Sequence, residues 1–188
     1  MKKSIITIGG DPGSGKSSTA KGVAAALGYT HSSSGDLFRK MAADRGISVE
    51  NINLTAEVQK EIDYEVDEWL QKMYLEQDNI VLDSRLAFHW MPKSFKVYLL
   101  LDEQTSAERI FSHIQREGRV SEGASSLDEV LRSIKSRAAS EHKRYLSLYN
   151  VDPTDPHHFD VVINTNHNDL KTVTNMVLAA FEAWNVTT

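Results

Sequence analysis

The sequence predicts a three-layer α/β fold around a five-stranded parallel sheet, and two observations support this. Short β-branched segments alternate with helix-forming segments along the chain, a pattern typical of parallel strands joined by helical crossovers. The chain has 188 residues, of which 40% are hydrophobic and 25% charged, which suits one folded domain. We therefore interpret residues 1–188 as a single domain whose sheet is covered by helices on both faces.

The predicted elements follow in order along the chain. Residues 4–9 form the first strand, because they are rich in β-branched side chains and stop at glycine. Residues 16–27 form a helix that ends at Gly28, a residue favoured at helix C-termini. The four later strand candidates are residues 29–33, 80–83, 95–101 and 159–164.

Two segments are not simple crossovers. Residues 34–77 are long and carry helical patterns at 36–44 and 55–74, so they predict a small helical insertion. Residues 118–126 are rich in glycine and serine and nearly free of large apolar side chains. This composition predicts a mobile surface loop between two helices.

The composition of the chain argues against several kinds of partner and site. The net charge of −5 gives no indication of a nucleic-acid-binding face. The chain has no cysteine and no apolar run of about 18 residues or more, so we expect a cytoplasmic protein without a membrane segment or disulfides. The pair His157-His158 does not match the usual spacing of zinc ligands.

A glycine-rich segment follows the first strand directly. Gly10-x-x-x-x-Gly15-Lys16-Ser17 matches the phosphate-loop pattern in its expected setting, between a strand and a helix. Its glycines allow backbone amides to surround phosphate oxygens, Lys16 supplies a positive charge, and Ser17 supplies a magnesium ligand. The predicted ATP-binding residues are Gly10, Asp11, Pro12, Gly13, Ser14, Gly15, Lys16, Ser17 and Ser18.

Three further motifs narrow the class of phosphate-loop protein. They are Ser34-Gly-Asp-Leu-Phe-Arg39, Leu82-Asp-Ser-Arg-Leu-Ala87 and Ser136-Arg-Ala-Ala-Ser-Glu-His-Lys-Arg-Tyr145. Together with the phosphate loop, they resemble the short archaeal type of cytidylate kinase, within the nucleoside monophosphate kinases. The resemblance runs from the first predicted strand to the last. It implies a P-loop kinase fold with a monophosphate-binding insertion at 34–77 and a mobile lid at 116–140.

Arginines suit the binding of the acceptor phosphate, because a planar guanidinium binds phosphate oxygens through two hydrogen bonds. Arg39 and Arg85 follow the second and third predicted strands, at the sheet edge where ligands bind in parallel sheets. In the family, the arginines at the matching positions bind the acceptor monophosphate. The alternative for each arginine is a surface ion pair. The predicted acceptor-binding residues are Ser34, Asp36, Arg39, Asp63 and Arg85.

The segments around the predicted lid contain four more arginines. Lid arginines reach the transferring phosphoryl group only when the lid closes and excludes water. The alternative for each is a solvated helix face. The predicted catalytic residues are Lys16, Arg116, Arg119, Arg137 and Arg144.

For five aspartates, the sequence allows more than one role. Asp83 ends a strand beside the loop and is predicted to hold Mg²⁺, the alternatives being a turn or a partner for Arg85. Asp63 and Asp67 lie one helical turn apart and either line the base pocket or, more commonly, form an exposed acidic face. The other two are Asp36, which either caps a helix or contacts the acceptor, and Asp152, which contacts a base or ends a turn.

Asp11 departs from the family pattern, in which an uncharged residue is usual. A carboxylate beside bound phosphates repels them unless it points outward or binds metal.

The leading interpretation is an enzyme that transfers the γ-phosphoryl group of ATP to CMP, with dCMP and UMP as further candidates. One alternative is a kinase for AMP or a small metabolite, and another is a non-catalytic nucleotide-binding regulator. We expect a monomer that binds ATP, CMP and Mg²⁺.

Overall fold

The computed structural model describes residues 4–117 and 126–187. Five strands form one parallel sheet in the order β2-β3-β1-β4-β5, which confirms the predicted fold class. The strands are β1 (Ile5–Gly10), β2 (Thr30–Ser33), β3 (Ile80–Asp83), β4 (Phe95–Leu100) and β5 (Val161–Asn164).

The helices connect the strands and cover both faces of the sheet. They are α1 (Lys16–Leu27), α2 (Ser34–Asp44), α3 (Val49–Ala56), α4 (Glu61–Glu76), α5 (Ala87–Trp90), α6 (Glu103–Glu117), α7 (Leu127–Tyr149) and α8 (Leu170–Thr187).

The sheet carries a separate apolar cluster on each face. On one side, Val23 of α1 and Phe181 of α8 pack against the β1, β3 and β4 side chains that point that way. On the other side, Leu70 of α4 and Met91, which follows α5, pack against Ile5 and the β3 side chains. Burial on both faces explains why all six residues of β1 are buried and apolar or small.

The register brings the ends of three strands together. Asp83, the last residue of β3, pairs with Ile8 of β1 and with Ser33 of β2. Gly10 at the end of β1 pairs with Leu99 of β4. The loop that follows β1 therefore lies beside the ends of β3 and β4, at the edge of the sheet where ligands bind in this class of fold.

The helical pattern predicted at 55–74 is wrong in its boundaries. The chain forms two helices, α3 and α4, separated by a break over residues 57–60. Ser48 begins α3 by accepting a hydrogen bond from the Asn51 amide at 3.1 Å, a cap that the apolar pattern alone did not indicate. Within the described residues, no helix is long and apolar enough to cross a bilayer.

Candidate nucleotide site

The loop between β1 and α1 has the backbone conformation expected of a phosphate-binding loop. Gly13 and Gly15 adopt positive φ angles of 69° and 86°, which side-chain-bearing residues rarely adopt. A Cβ atom on Gly10 would lie 2.4 Å from the Leu99 carbonyl oxygen, so only glycine fits there. Helix α1 begins at Lys16, so the first amides of the helix, which have no acceptor within it, lie at the end of the loop.

The Lys16 side chain lies back along this loop. Its Nζ donates hydrogen bonds to the carbonyl oxygens of Gly10, at 2.8 Å, and Asp11, at 2.7 Å. Burial, and then the charge of Arg85, lower the pKa of Lys16 to about 8.

Oxygen-bearing side chains meet at the ends of β2, β3 and α1. The Ser17 hydroxyl donates to Asp83 Oδ2, and the Ser33 hydroxyl donates to the same oxygen at 3.3 Å. Hydroxyl and carboxylate oxygens are the protein ligands that Mg²⁺ prefers, with substrate phosphates and water completing its shell. Ser17 and Asp83 therefore fit the magnesium role that the sequence predicted.

One buried carboxylate joins two of the predicted arginines. Glu141 Oε1 accepts from Arg85 Nη1 at 2.8 Å and from Arg137 Nε at 3.0 Å, and the Glu141 side chain is only 6% exposed. Burial, and then the charge of Arg85, lower the pKa of Arg137. Two cations thus converge on a single anion, between the segment that follows β3 and the middle of α7.

Sequence reasoning missed Glu141. Its position four residues after Arg137, on the same face of a predicted helix, was the available signal. That spacing is common among exposed ion pairs, so it does not by itself distinguish a buried site from a solvated helix surface.

Arg144 and Asp63 form a buried ion pair between α7 and α4. Arg144 Nε donates to Asp63 Oδ2 at 2.9 Å, and its Nη1 donates to the Asn53 carbonyl oxygen at 3.3 Å and to the Ser140 hydroxyl at 3.0 Å. Burial raises the pKa of Asp63 and outweighs the opposing effect of Arg144. The prediction of an exposed acidic face is therefore wrong here.

Asp67, one turn along α4, is also buried. It accepts hydrogen bonds from the Trp90 indole nitrogen, at 2.8 Å, and from the Tyr149 hydroxyl. Burial raises the pKa of Asp67 to about 6, although the hydrogen bonds from Tyr149 and Trp90 act in the opposite direction. Asp63 and Asp67 both connect α4, which lies in the predicted insertion, to later parts of the chain.

The other predicted acceptor-binding residues lie at the start of α2. Ser33 caps this helix by accepting from the Asp36 amide at 3.4 Å, so the interpretation of Asp36 as the cap is wrong. Asp36 instead accepts a hydrogen bond from Arg39, whose side chain is 54% exposed. Ser34 lies beside Asp83, with its hydroxyl 3.5 Å from the Asp83 carbonyl oxygen.

The remaining predicted residues lie in different settings. Arg116, near the end of α6, is exposed and donates to the Ser112 carbonyl oxygen. Arg119 and most of the predicted lid loop, residues 118–125, lie outside the described residues. Asp152 accepts from the Thr154 amide at 2.8 Å, which favours its interpretation as a turn residue. The described residues contain no cluster of three or more acidic or histidine side chains able to hold a metal alone.

The Asp11 carboxylate points away from the enclosed space. Its two oxygens accept hydrogen bonds from the Tyr98 hydroxyl, at 2.7 Å, and the Leu101 amide, at 2.8 Å. The carboxylate therefore points outward, which is the first of the two arrangements that avoid repulsion of bound phosphates.

A family model and individual relatives both show that this chain is similar to cytidylate kinases. The model of the cytidylate kinase-like family matches residues 5–167. The cytidylate kinase of Methanothrix thermoacetophila is 35% identical over 179 residues, covering 95% of this chain and 98% of that protein. The cytidylate kinase of Thermoplasma volcanium is 39% identical over 180 residues, covering 92% and 88% respectively.

Solved structures with low sequence identity share the fold. An uncharacterized protein from Eubacterium ventriosum superposes with a TM-score of 0.69 at 20% identity, covering 96% of this chain and 99% of that one. A shikimate kinase from Bacteroides thetaiotaomicron superposes with a TM-score of 0.65 at 13% identity, covering 95% and 98%.

Proposed function

The chain belongs to the cytidylate kinase-like family, and we propose that it transfers the γ-phosphoryl group of ATP to CMP, giving ADP and CDP. One observation carries the proposal: Ser17 of the phosphate loop donates to Asp83 at the end of β3, and Arg85, two residues further along the chain, meets Arg137 at Glu141. The phosphate loop and two arginines therefore lie at the same edge of the sheet. Phosphoryl transfer needs this arrangement, because donor and acceptor phosphates bring several negative charges together.

On the donor side, the loop amides and Lys16 hold the β- and γ-phosphates of ATP. Lys16 leaves the carbonyl oxygens of Gly10 and Asp11 to make this contact. Ser17 and Asp83 hold Mg²⁺, which neutralises phosphate charge when it is bound. Their hydroxyl and carboxylate oxygens already lie in contact at the strand ends, which supports this role.

On the acceptor side, Arg39 and Arg85 bind the phosphate of CMP. Arg39 is exposed and paired with the exposed Asp36, so it can turn toward a ligand. Ser34 and Asp36 line the same edge, and Asp63 supplies the acceptor that the exocyclic amino group of cytosine needs. Asp63 is paired with Arg144, and the base joins or replaces this contact.

The lid arginines complete the site when residues 116–140 close over it. Arg137 already lies beside Arg85, which supports a catalytic role on the transferring phosphoryl group. Arg116, Arg119 and Arg144 are the other candidates for this role. We further propose that the chain works as a single domain, as a monomer and in the cytoplasm, with 34–77 as its monophosphate-binding insertion.

A coupled ADP-release assay with CMP, dCMP, UMP, AMP and GMP tests the proposal. We expect CMP to give the highest kcat/KM and Lys16→Ala to abolish the stimulated rate. A preference for AMP would contradict the proposed acceptor and favour another monophosphate kinase. Slow ATP hydrolysis that no monophosphate stimulates would contradict the enzyme assignment and favour a regulatory module.

A further inference from the structure

Asp11 brings a negative charge into the loop that binds a polyanion. At separations of a few ångströms, the repulsion between a carboxylate and a phosphate is large unless solvent or protein groups reduce it. The side chain of Asp11 is turned toward β4, away from the space that the loop encloses. The contacts that hold it in this orientation also act on the loop.

Three hydrogen bonds connect Asp11 to the end of β4. Its carboxylate accepts from the Tyr98 hydroxyl, at 2.7 Å, and from the Leu101 amide, at 2.8 Å. Its own amide donates to the Leu99 carbonyl oxygen at 3.0 Å. Because each carboxylate oxygen has one donor, the side chain is held in one orientation by two charge-assisted hydrogen bonds.

The same residue also shapes the interior of the loop. The Asp11 carbonyl oxygen accepts from Lys16 Nζ at 2.7 Å and from the Ser14 amide at 3.2 Å. Fixing the Asp11 side chain therefore fixes the peptide that orients the Ser14 amide and receives the Lys16 ammonium. Without the donors from Tyr98 and Leu101, this peptide would lose the side-chain contacts that help to hold its orientation.

Pro12, the residue after Asp11, is held by a second contact. The Ser106 hydroxyl, in α6, donates to the Pro12 carbonyl oxygen at 2.7 Å. A Cβ atom on Gly13 would lie 3.1 Å from the Ser106 carbonyl oxygen, so the loop packs tightly against the start of α6. The first half of the loop is thus held by β4 and α6, while its second half leads into α1.

We propose that Asp11 is a positioning residue for ATP binding: its carboxylate, held by Tyr98 and Leu101, fixes the first half of the phosphate loop in its binding conformation. This inference rests on the proposed function, since it takes ATP as the ligand of the loop. The side chain acts through the loop backbone and makes no contact with phosphate. The benefit of a preformed loop outweighs the repulsion from a carboxylate whose oxygens are both hydrogen-bonded away from the ligand.

Three substitutions test the role of the carboxylate. Asp11→Asn keeps the shape but has one acceptor oxygen for two donors, Asp11→Ala removes both acceptors, and Tyr98→Phe removes one donor. We expect the dissociation constant of a non-hydrolysable ATP analogue to rise about tenfold in Asp11→Asn and Tyr98→Phe, and about tenfold to a hundredfold in Asp11→Ala. The dissociation constant of CMP should stay within about twofold of the wild-type value.

Tyr29→Phe is the matched control. The Tyr29 hydroxyl is also hydrogen-bonded, to Ser4 at 2.6 Å, but it lies at the opposite end of the sheet, before β2. This variant should bind the ATP analogue like the wild type. The double variant Asp11→Ala/Tyr98→Phe should bind no more weakly than Asp11→Ala, because the tyrosine acts only through the carboxylate.

Calorimetric titration of each ligand, with urea denaturation of each variant, separates the outcomes. A tighter ATP complex in Asp11→Asn would overturn the inference and identify Asp11 as a repulsive charge. Unchanged ATP affinity with a lower unfolding midpoint would overturn it in favour of a purely structural role. Loss of ATP affinity in the variants of a chain that transfers no phosphoryl group to CMP would support this inference and contradict only the proposed function.

Discussion

Replacing Arg39 and Arg85 separately with alanine is the most informative test of the acceptor site, because the two side chains have different surroundings. Arg39 is 54% exposed and paired with the exposed Asp36. Arg85 is 23% exposed and shares the buried Glu141 with Arg137. If both arginines bind the acceptor phosphate, both substitutions weaken CMP binding, but only one of them also destabilises the fold.

The expected magnitudes follow from these contacts. A charge-assisted hydrogen bond to phosphate contributes about 1.5–3 kcal/mol, so each substitution should raise the dissociation constant of CMP by about tenfold to more than a hundredfold. Arg39→Ala should change the free energy of unfolding by less than about 1 kcal/mol, as for other exposed ion pairs. Arg85→Ala should lower it by about 2–3 kcal/mol, since Glu141 keeps only Arg137 as a partner.

The assay is calorimetric titration of CMP and of a non-hydrolysable ATP analogue into the wild type and both variants, with urea denaturation of each. The ATP analogue should bind nearly as tightly in all three proteins, because the loop and the arginines form separate sites. Arg39→Lys should recover little CMP affinity, because lysine restores the charge without the planar guanidinium. If ATP affinity falls as much as CMP affinity in both variants, the arginines belong to the donor site or to the structure, and the reasoning is refuted.

Three further predictions concern other parts of the site. Lys16→Ala should fold and lose about a hundredfold or more in phosphoryl transfer, since one positioned charge is worth about 3 kcal/mol in the transition state; unchanged turnover would contradict the loop assignment. Glu141→Gln should lower the free energy of unfolding by about 1–3 kcal/mol, whereas the control Glu65→Gln, at an exposed arginine pair, should change it by less than about 1 kcal/mol. The raised pKa of Asp67, about 6 against 3.8, means that the folded state holds this proton more tightly than the unfolded state does, so the Asp67 contribution to stability is present at low pH and is lost as the pH rises through about 4 to 6. The free energy of unfolding of Asp67→Asn, measured by urea denaturation, should therefore rise by about 2–3 kcal/mol relative to that of the wild type between pH 4 and pH 7. A constant difference between the two proteins across that range would refute this.

The sheet and the phosphate loop were accessible from sequence because local chemistry determines them. The apolar β-branched run before Gly10 and the glycines that follow specify a strand and a loop almost without reference to the rest of the chain. The third strand, residues 80–83, was predicted with its observed bounds, since its apolar run ends at a single carboxylate. The parallel arrangement then followed from the alternation of strands with helices.

The acceptor side was harder to predict because its contacts join residues far apart in the sequence. The Arg144–Asp63 pair spans 81 positions, and the contact of Asp67 with Tyr149 spans 82. The spacing of Asp63 and Asp67 is equally compatible with a solvated face, and it is the packing of α7 and Trp90 against α4 that buries them. The orientation of Asp11 likewise depends on Tyr98, which lies on a strand that the loop sequence does not specify.

Helix α7 has a mechanical consequence that follows from its length. Its 23 residues extend for about 34 Å, starting where the predicted loop 118–126 ends and finishing beside α4. Near its start, Val130 and Ile134 pack with Ala107 of α6, and near its end Arg144 and Tyr149 hold α4. A tilt of about 5° at the start displaces the far end of such a rod by about 3 Å. We therefore expect this helix to transmit movement between α6 and α4, and ATP and CMP to bind with positive cooperativity, because one stiff helix contacts both elements.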